Sequence, residues 1–341
     1  MKAVYIMQQG DVDVLTYGDL PDPVPGPGEV LIRIRAAALN HIDVYQRSGG
    51  NRVRLGQVPR ILGSDMAGEV ATLGPGVTGV AVGQRILVNR EVPCGKCPPC
   101  LEGRDDFCDH PRTVGGAYAQ YAVAPAINCY PIPDAMSFEE AASIPLCFHG
   151  AWHCLVTRAQ LRAGETLLIT AVGSGVGSAG LQIAKALYAR VLVTAGSDAK
   201  VQRAIELGAE DGINYTTTPK FSEWVLKKTG GNGADVIFDS VGAPIWDECF
   251  ASMREGGRLV CTGVTGGHRA NLHLGQLFIR ALTLMGSGQR SRREFNDFMK
   301  LVSQGKLRGV VGRVFPLEQA REAHRAMEQR DFFGKIVLKV P

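Results

Sequence analysis

The sequence has no long apolar run, no strong excess of one charge and few aromatic residues. Charged residues make up 21% of the chain and aromatic residues 7%, and the formal net charge is only +4. A nucleic-acid partner usually requires a concentrated basic stripe, and a bilayer span needs about 20 consecutive apolar residues. We therefore expect no nucleic-acid partner and no membrane partner. Residues 1–6 resemble a short strand, so we expect no signal peptide.

The length indicates the number of domains. A chain of 341 residues is too long for one ordinary hydrophobic core, so we expect two domains. An apolar fraction of 45% is typical of a globular protein, and the 42 glycines recur beside apolar runs, as in α/β folds with many tight turns. We find no internal repeat and no low-complexity segment.

Nine cysteines occur in a chain that shows no secretory pattern, so we expect a cytoplasmic location in which thiols stay reduced. Four of them follow the spacing C-x2-C-x2-C-x7-C within residues 94–108. Four thiolates close a tetrahedron around zinc and leave no open position for a substrate. We therefore predict one structural zinc in this lobe, in preference to two disulfides or a chance grouping. The predicted ligands are Cys94, Cys97, Cys100 and Cys108.

The pattern of apolar residues differs between the two parts of the chain. In the first part, residues 30–36 alternate apolar side chains with Arg33 and Arg35, as in a half-buried strand, and residues 85–88 form a second strand. From residue 166, short apolar strands alternate with helical patterns, which predicts an α/β fold with a parallel sheet covered on both faces. The predicted strands of this second part lie at 166–170, 191–194, 236–238, 259–262, 282–285 and 335–339, and the helices at 176–188, 199–207, 292–304 and 317–328.

A glycine-rich turn follows the first of these strands. Residues 170–180 read TAVGSGVGSAG, and helical spacing of apolar residues begins at Val176. A glycine turn between a strand and a helix lets the backbone approach a pyrophosphate, and the helix N-terminus supplies N–H groups. Ser178 replaces the last glycine of the strict G-x-G-x-x-G form, but the strand–turn–helix context makes the signal strong. The predicted dinucleotide contacts are Gly173, Ser174, Gly175, Val176 and Gly177.

The end of the second strand bears on the choice between NADPH and NADH. Proteins that bind NAD usually carry an acidic residue there, which accepts from the ribose 2′-hydroxyl. Ala195 stands at that position, and Asp198 comes later, where we expect the next helix to begin. Ser197 can donate to a 2′-phosphate, Lys200 adds positive charge, and Tyr215 lies just past the third strand. The sequence therefore favours NADPH over NADH.

The chain resembles the medium-chain dehydrogenase/reductase superfamily over nearly its whole length. The resemblance rests on the segments 25–30 (PGPGEV), 63–70, 94–108, 173–180 and 334–337 (GKIV). It implies a β-rich GroES-like substrate domain formed by residues 1–125 and 289–341 with the zinc lobe, and a doubly wound Rossmann domain formed by residues 126–288. It also implies an active site in the cleft between the two domains. By analogy, the cofactor should run along Val241, Gly263, Val264 and Ser287.

The alcohol dehydrogenase branch of that superfamily carries a second, catalytic zinc. Its usual ligands are a cysteine after an early strand, a His-Glu pair and a third cysteine before the Rossmann domain. Here Asn40, the pair Ser64-Asp65 and Leu146 stand at those positions. A catalytic zinc needs about three protein ligands. An unusual set of Asp65, Cys147 and His149 stays open as an alternative.

The segment 40–49 (NHIDVYQRSG) is more similar to the quinone oxidoreductase branch, which reduces quinones or activated alkenes without a catalytic metal. In such a reaction, hydride adds to a carbon conjugated to a carbonyl, and the carbonyl oxygen gains negative charge. A donor aimed at that oxygen would stabilise the transition state. We take Tyr45 as the first candidate donor and Asn40 as the second. Asp43 and Arg47 are expected to hold the segment in place.

Several alternatives remain at this point. The chain could be a zinc-dependent alcohol dehydrogenase with an atypical site, an enoyl reductase for coenzyme A thioesters, or an NADPH-binding protein with a structural or nucleic-acid-binding role, although the low net charge argues against nucleic acid. The sequence predicts a small-molecule substrate without identifying it. Relatives pair through Rossmann edge strands, so the resemblance implies a homodimer or homotetramer that pairs near residues 282–285.

Overall fold

The structure is a computed structural model that describes residues 1–50 and 53–341. The first elements in chain order are β1 (Lys2–Ile6), β2 (Thr16–Asp19), β3 (Glu29–Ala38), α1 (His41–Ser48), β4 (Arg60–Ile61), β5 (Asp65–Leu73), β6 (Arg85–Val88), β7 (Glu91–Val92), α2 (Pro98–Leu101), β8 (Arg112–Thr113), β9 (Tyr121–Pro125), β10 (Cys129–Pro131) and α3 (Phe138–Ala142). The middle elements are α4 (Pro145–Trp152), β11 (Thr166–Ile169), α5 (Gly175–Ala186), β12 (Arg190–Ala195), α6 (Asp198–Glu206), β13 (Asp211–Asn214), α7 (Phe221–Lys228), β14 (Ala234–Asp239), α8 (Trp246–Ser252), β15 (Met253–Cys261), α9 (Leu274–Ile279) and β16 (Thr283–Gly286). The last elements are α10 (Arg292–Ser303), β17 (Val311–Pro316), α11 (Ala320–Gln329) and β18 (Lys335–Lys339).

The chain divides into two compact units. Unit 1 comprises residues 1–146 and 291–341, and unit 2 comprises residues 147–290. The family resemblance placed the first boundary after residue 125. It lies later in the structure because β10 pairs with β6 and because α3 packs on β3 and β5, which ties residues 126–144 to unit 1.

Unit 1 is built on a seven-stranded sheet with strands from both ends of the chain. Its order is β10-β6-β5-β3-β18-β17, and β9 pairs with β3 beside that path. Strand β18 runs antiparallel to β3, with Leu338 opposite Ala37. The Leu39 N–H donates to the Ile336 carbonyl at 2.9 Å. The start of β18 therefore lies beside the residue at which β3 ends, and this contact positions the site described below.

Unit 2 is a parallel six-stranded sheet of order β13-β12-β11-β14-β15-β16. The order reverses between β11 and β14. Strands β12 and β13 lie on one side of β11, and β14, β15 and β16 lie on the other side. In open α/β sheets, ligands bind outside the carboxyl ends of the strands at such a switch point. The loop after β11 is the glycine-rich turn, so the topology places that turn where a ligand is expected.

The predicted α/β fold class is confirmed, with a GroES-like unit and a Rossmann-like parallel sheet. The sequence assigned no secondary structure to residues 40–49, which contain helix α1. Strand β16 lies at the edge of its sheet, and the pairing of two copies at this edge stays a prediction. Within the part of the chain that the structure describes, no helix has the length and apolar character needed to cross a bilayer.

Candidate active site and zinc lobe

The glycine-rich turn has the geometry of a phosphate cradle. Ser174 is the N-cap of α5, and its hydroxyl accepts from the Gly177 N–H at 3.0 Å. Ahead of Gly177, the N–H groups of Gly175 and Val176 belong to the first turn, where helix geometry provides no backbone acceptor. A Cβ on Gly177 would lie 2.8 Å from the Ala171 oxygen. The turn therefore fits a dinucleotide phosphate, which would bind to the exposed N–H groups and the positive end of the helix dipole.

The residues assigned to the cofactor by analogy all follow carboxyl ends of strands in unit 2. Asp239, at the end of β14, is buried, and its carboxylate accepts from the N–H groups of Val241 and Gly242 at 2.9 and 3.0 Å. Gly263 and Val264 follow β15, and the Ser287 N–H donates to the Cys261 carbonyl at 3.0 Å. These positions lie along one edge of the sheet, as a bound dinucleotide requires. Their contacts with a cofactor stay predictions.

The segment that follows β12 contains no free acidic group at its strand end. Ala195 is buried as the last residue of the strand, and Ser197 is the N-cap of α6. Asp198 begins α6 as expected, and its Oδ1 accepts from Asn214 Nδ2 at 2.9 Å. A Cβ on Gly196 would lie 2.8 Å from the Tyr215 hydroxyl, so Tyr215 covers this turn. Lys200 lies in the first turn of the same helix.

The four cysteines of the lobe come together as the spacing predicted. Their sulfur atoms all lie within 4.8 Å of one another, and the Cys97 and Cys108 sulfurs are 3.9 Å apart. Zinc–sulfur bonds of about 2.3 Å in a tetrahedron require sulfur separations of about 3.8 Å, so the group fits zinc. The N–H groups of Lys96 and Cys97 donate to the Cys94 sulfur and lower its pKa to about 6, which favours the thiolate. The residues therefore form a site for a structural zinc.

Three residues at the positions expected for catalytic-metal ligands, Asn40, Ser64 and Asp65, lie in a buried polar cluster in unit 1. We use this name for Asn40, Asp43, Ser64, Asp65, Tyr118 and Lys335. Asp65 is fully buried and accepts three hydrogen bonds, from Leu146 N at 3.1 Å, Asn40 Nδ2 at 2.9 Å and Lys335 Nζ at 3.2 Å. The Lys335 ammonium also donates to Asn40 Oδ1 at 2.5 Å. The Asp65 carboxylate is thus neutralised by a lysine and hydrogen bonded through both of its oxygens.

Asp43 is the second carboxylate of the buried polar cluster. Its Oδ2 accepts from the Asn40 N–H at 2.8 Å and from the Tyr118 hydroxyl at 3.3 Å, and its Oδ1 accepts from the Ser64 hydroxyl at 2.9 Å. Burial raises the pKa of Asp43 to about 6, although the Asn40 and Ser64 donors oppose the shift. Burial, together with Asp43, also raises the pKa of Tyr118. Asp43 therefore fixes the start of α1, as the sequence suggested for this residue.

Helix α1 carries the first candidate donor on its half-buried face. The Tyr45 hydroxyl makes no hydrogen bond to any residue that the structure describes, and the ring lies 6.5 Å from the His41 ring, centroid to centroid. Burial, with smaller contributions from the charges of Arg330 and Lys335, lowers the pKa of His41 to about 4, so His41 is neutral at pH 7. Arg47 is buried and pairs with Glu328, which anchors the end of the helix. Tyr45 is thus a phenol on an anchored helix, and its hydroxyl has no hydrogen-bond partner within residues 1–50 and 53–341.

The second candidate donor, Asn40, already uses its side-chain amide in hydrogen bonds within the buried polar cluster. Its amide oxygen accepts from Lys335, and its amide nitrogen donates to Asp65 and, at 3.4 Å, to the Ala38 carbonyl. Its catalytic role stays a prediction, and Tyr45 is the stronger candidate. Cys147 and His149 are buried in α4. Among the described residues, only the four lobe cysteines form a group of three or more ligand atoms close enough to share a metal.

Comparison with known proteins now decides the family. Residues 26–134 match the family described as "Alcohol dehydrogenase GroES-like domain", and residues 175–304 match the family described as "Zinc-binding dehydrogenase". An acryloyl-coenzyme A reductase from Metallosphaera sedula is 31% identical and covers 99% of each chain. This chain belongs to the medium-chain dehydrogenase/reductase superfamily. It is a zinc-type, alcohol dehydrogenase-like oxidoreductase of that superfamily.

Solved structures in the superfamily are similar over the whole chain. An NAD-dependent alcohol dehydrogenase is 42% identical with a TM-score of 0.96 and covers 100% of both chains. A mycobacterial quinone oxidoreductase is 29% identical with a TM-score of 0.80 and covers 99% of both chains; a mycobacterial structure complexed with NADPH matches at a TM-score of 0.83. These similarities and the four-cysteine group support NAD(P) and zinc in general as ligands of this superfamily member.

Sequence reasoning missed Lys335 and Tyr118 as members of the buried polar cluster. Lys335 lies within the segment GKIV, which the sequence analysis used as a family marker and as the start of the last predicted strand. One local signal was present, because Lys335 precedes the apolar run Ile336, Val337 and Leu338 of a buried strand. A lysine that is buried together with such a run needs a hydrogen-bond acceptor beside its ammonium group. Tyr118 carries no comparable local signal.

Proposed function

We propose that this oxidoreductase reduces a quinone or an activated alkene with NADPH and without a catalytic zinc. The observation that carries the proposal is the hydrogen bonding of Ser64 and Asp65, which by resemblance stand where the alcohol dehydrogenase branch usually has a His-Glu pair. The Ser64 hydroxyl donates to Asp43, and the Asp65 carboxylate is paired with the Lys335 ammonium. A metal at this position would have to displace a buried ion pair. Buried pairs with additional hydrogen bonds are costly to break.

NADPH, when bound, supplies a hydride for the electrophilic carbon of the substrate. The residues of the chain hold the cofactor and donate a hydrogen bond to the substrate. Backbone N–H groups of Gly175 and Val176 would hold the dinucleotide phosphate, and the Ser197 hydroxyl and Lys200 would hold the 2′-phosphate. The Tyr45 hydroxyl donates to the substrate carbonyl oxygen as that oxygen gains charge, and a proton from solvent completes the reduction. Because the oxygen is most negative in the transition state, the Tyr45 hydrogen bond strengthens there and speeds the reaction.

The experiment that tests the proposed function follows NADPH oxidation with one member of each substrate class. The panel is a quinone, a simple enone, acryloyl-coenzyme A and an aldehyde. We expect turnover with at least one of the first three substrates and little with the aldehyde. Turnover of the aldehyde alone would contradict the proposal and favour the second candidate. That candidate is a zinc-dependent alcohol dehydrogenase, which the 42% identity to an NAD-dependent alcohol dehydrogenase supports.

The preference for NADPH can be tested at Ser197. Aspartate is as good an N-cap as serine, so Ser197→Asp should preserve α6 while it places a carboxylate beside the 2′-phosphate. We expect kcat/KM for NADPH to fall about tenfold or more relative to NADH, because like charges in contact repel. Steady-state kinetics with both cofactors measure the ratio.

The matched control for this test is Ser291→Asp, which makes the same change at the N-cap of α10 in unit 1. The NADPH/NADH ratio of the control should equal that of the wild type. A Ser197→Asp protein that keeps the wild-type ratio would show that the 2′-phosphate does not lie at this turn. NADH would then be the expected cofactor.

A further inference from the structure

Lys335 is a buried cation at the centre of the polar cluster, and its partners come from the opposite end of the chain. The residue is 3% exposed and begins strand β18. Its ammonium lies 2.5 Å from Asn40 Oδ1 and 3.2 Å from Asp65 Oδ2. The sequence separation between Lys335 and Asn40 is 295 residues. A lysine this deeply buried is found almost only where a specific polar partner holds it.

The ammonium determines the orientation of the Asn40 amide. An ammonium can only donate hydrogen bonds and a carboxylate can only accept them. The amide oxygen of Asn40 must therefore face Lys335, and its amide nitrogen must face Asp65, as the structure shows. Without the ammonium, the amide could rotate by half a turn and present its nitrogen elsewhere. Lys335 thus prevents the rotation of the Asn40 side-chain amide.

Asn40 connects this arrangement to helix α1. It is the N-cap residue of the helix, its carbonyl accepts from the Asp43 N–H at 3.0 Å, and its own N–H donates to the Asp43 carboxylate at 2.8 Å. Tyr45 lies in the next turn of the same helix. A shift of Asn40 would therefore tilt the first turn of α1 and move the Tyr45 hydroxyl. Misplacement of a reacting group by about 1 Å can cost a hundredfold in rate.

We propose that Lys335 is a positioning residue for the reduction, acting through Asn40 on the direction of the Tyr45 hydroxyl. The inference rests on the proposed function, because it assumes that Tyr45 donates to the substrate. Lys335 does not touch the substrate in this account. Its ammonium fixes the Asn40 amide, the amide fixes the start of α1, and the helix presents Tyr45.

The test compares the isosteric variant Lys335→Met with the double variant D65N/K335M. Lys335→Met alone leaves the Asp65 carboxylate buried without its cation, so this variant is expected to be unstable. The double variant removes both charges, and its two neutral amides at positions 40 and 65 can still pair. We expect D65N/K335M to melt close to the wild type, with kcat about tenfold lower and KM for NADPH unchanged. Lys339→Met, on the exposed end of β18, is the matched control and should keep the wild-type kcat.

Combination with Tyr45→Phe separates positioning from a purely structural role. If Lys335 acts through Tyr45, adding Y45F to D65N/K335M should leave kcat at the value of Y45F alone. Two results would overturn the proposal: full kcat in D65N/K335M, or losses that multiply when the variants are combined. If Y45F alone retains wild-type kcat, the donor role itself fails and this inference fails with it. The single variant therefore distinguishes failure of the proposed function from failure of the Lys335 proposal.

Discussion

Tyr45→Phe is expected to lower kcat for enone or quinone reduction about a hundredfold and to leave the melting temperature almost unchanged. Removing one donor to a developing oxyanion typically costs 10²–10³ in kcat. Stability should change little because the Tyr45 hydroxyl has no partner among the described residues and the ring is only half-buried. Stopped-flow measurement of NADPH oxidation at saturating substrate reports the chemical step directly.

The control for this prediction is Tyr17→Phe, which removes a hydroxyl from an exposed position of β2 in the same unit. Its kcat should match that of the wild type. Equal turnover in wild type and Tyr45→Phe would remove Tyr45 from the mechanism. The oxygen of the substrate would then need a different donor, and Asn40 would be tested next.

Cys97→Ser is expected to remove the structural zinc and to lower the melting temperature of unit 1 by more than about 10 °C. Cys97 is a buried member of the four-cysteine group. Binding of structural zinc contributes about 10–16 kcal/mol to the folding of small zinc domains, and loss of a ligand forfeits much of it. In a unit of this size, each kcal/mol lost shifts the melting temperature by roughly 2–4 °C.

Calorimetry of the purified variant measures this melting temperature, with Cys129→Ser as the control. Cys129 lies in the same unit at the start of β10, outside the cysteine group, and its sulfur contacts only the Pro125 carbonyl at 3.6 Å among the hydrogen bonds found for it. The control should keep its zinc and melt near the wild type. A Cys97→Ser protein that melts as the wild type does would show that the lobe needs no metal to fold.

The features that the sequence predicted well depend on neighbouring residues. The glycine-rich turn, its flanking strand and helix, and the cysteine lobe each lie within a short stretch, so spacing and apolar periodicity were sufficient to find them. The zinc lobe closes within residues 94–108, and the turn lies between β11 and α5. Such features can be predicted from local spacing and periodicity without knowledge of long-range contacts.

The features that the sequence could not predict depend on residues far apart in the chain. Pairing of β18 with β3 brings Lys335 to Asn40 and Asp65, and no local pattern encodes that register. The resemblance placed Asn40 at the position of a catalytic-zinc ligand, but its partner Lys335 could not be inferred. The first domain boundary was also placed early, because the pairing of β10 with β6 is a long-range contact. No secondary structure was assigned to helix α1, because only two of its eight residues, Ile42 and Val44, are aliphatic.

Zinc per chain in active wild-type protein, measured by elemental analysis, tests the central claim most directly. The claim is that the chain transfers hydride to a quinone or activated alkene with a lysine–aspartate pair where a catalytic metal would bind. A value near one zinc per chain, bound by the four cysteines, is the predicted result. A value near two would mean that a metal enters despite the Lys335–Asp65 pair, and the account of the active site would be contradicted.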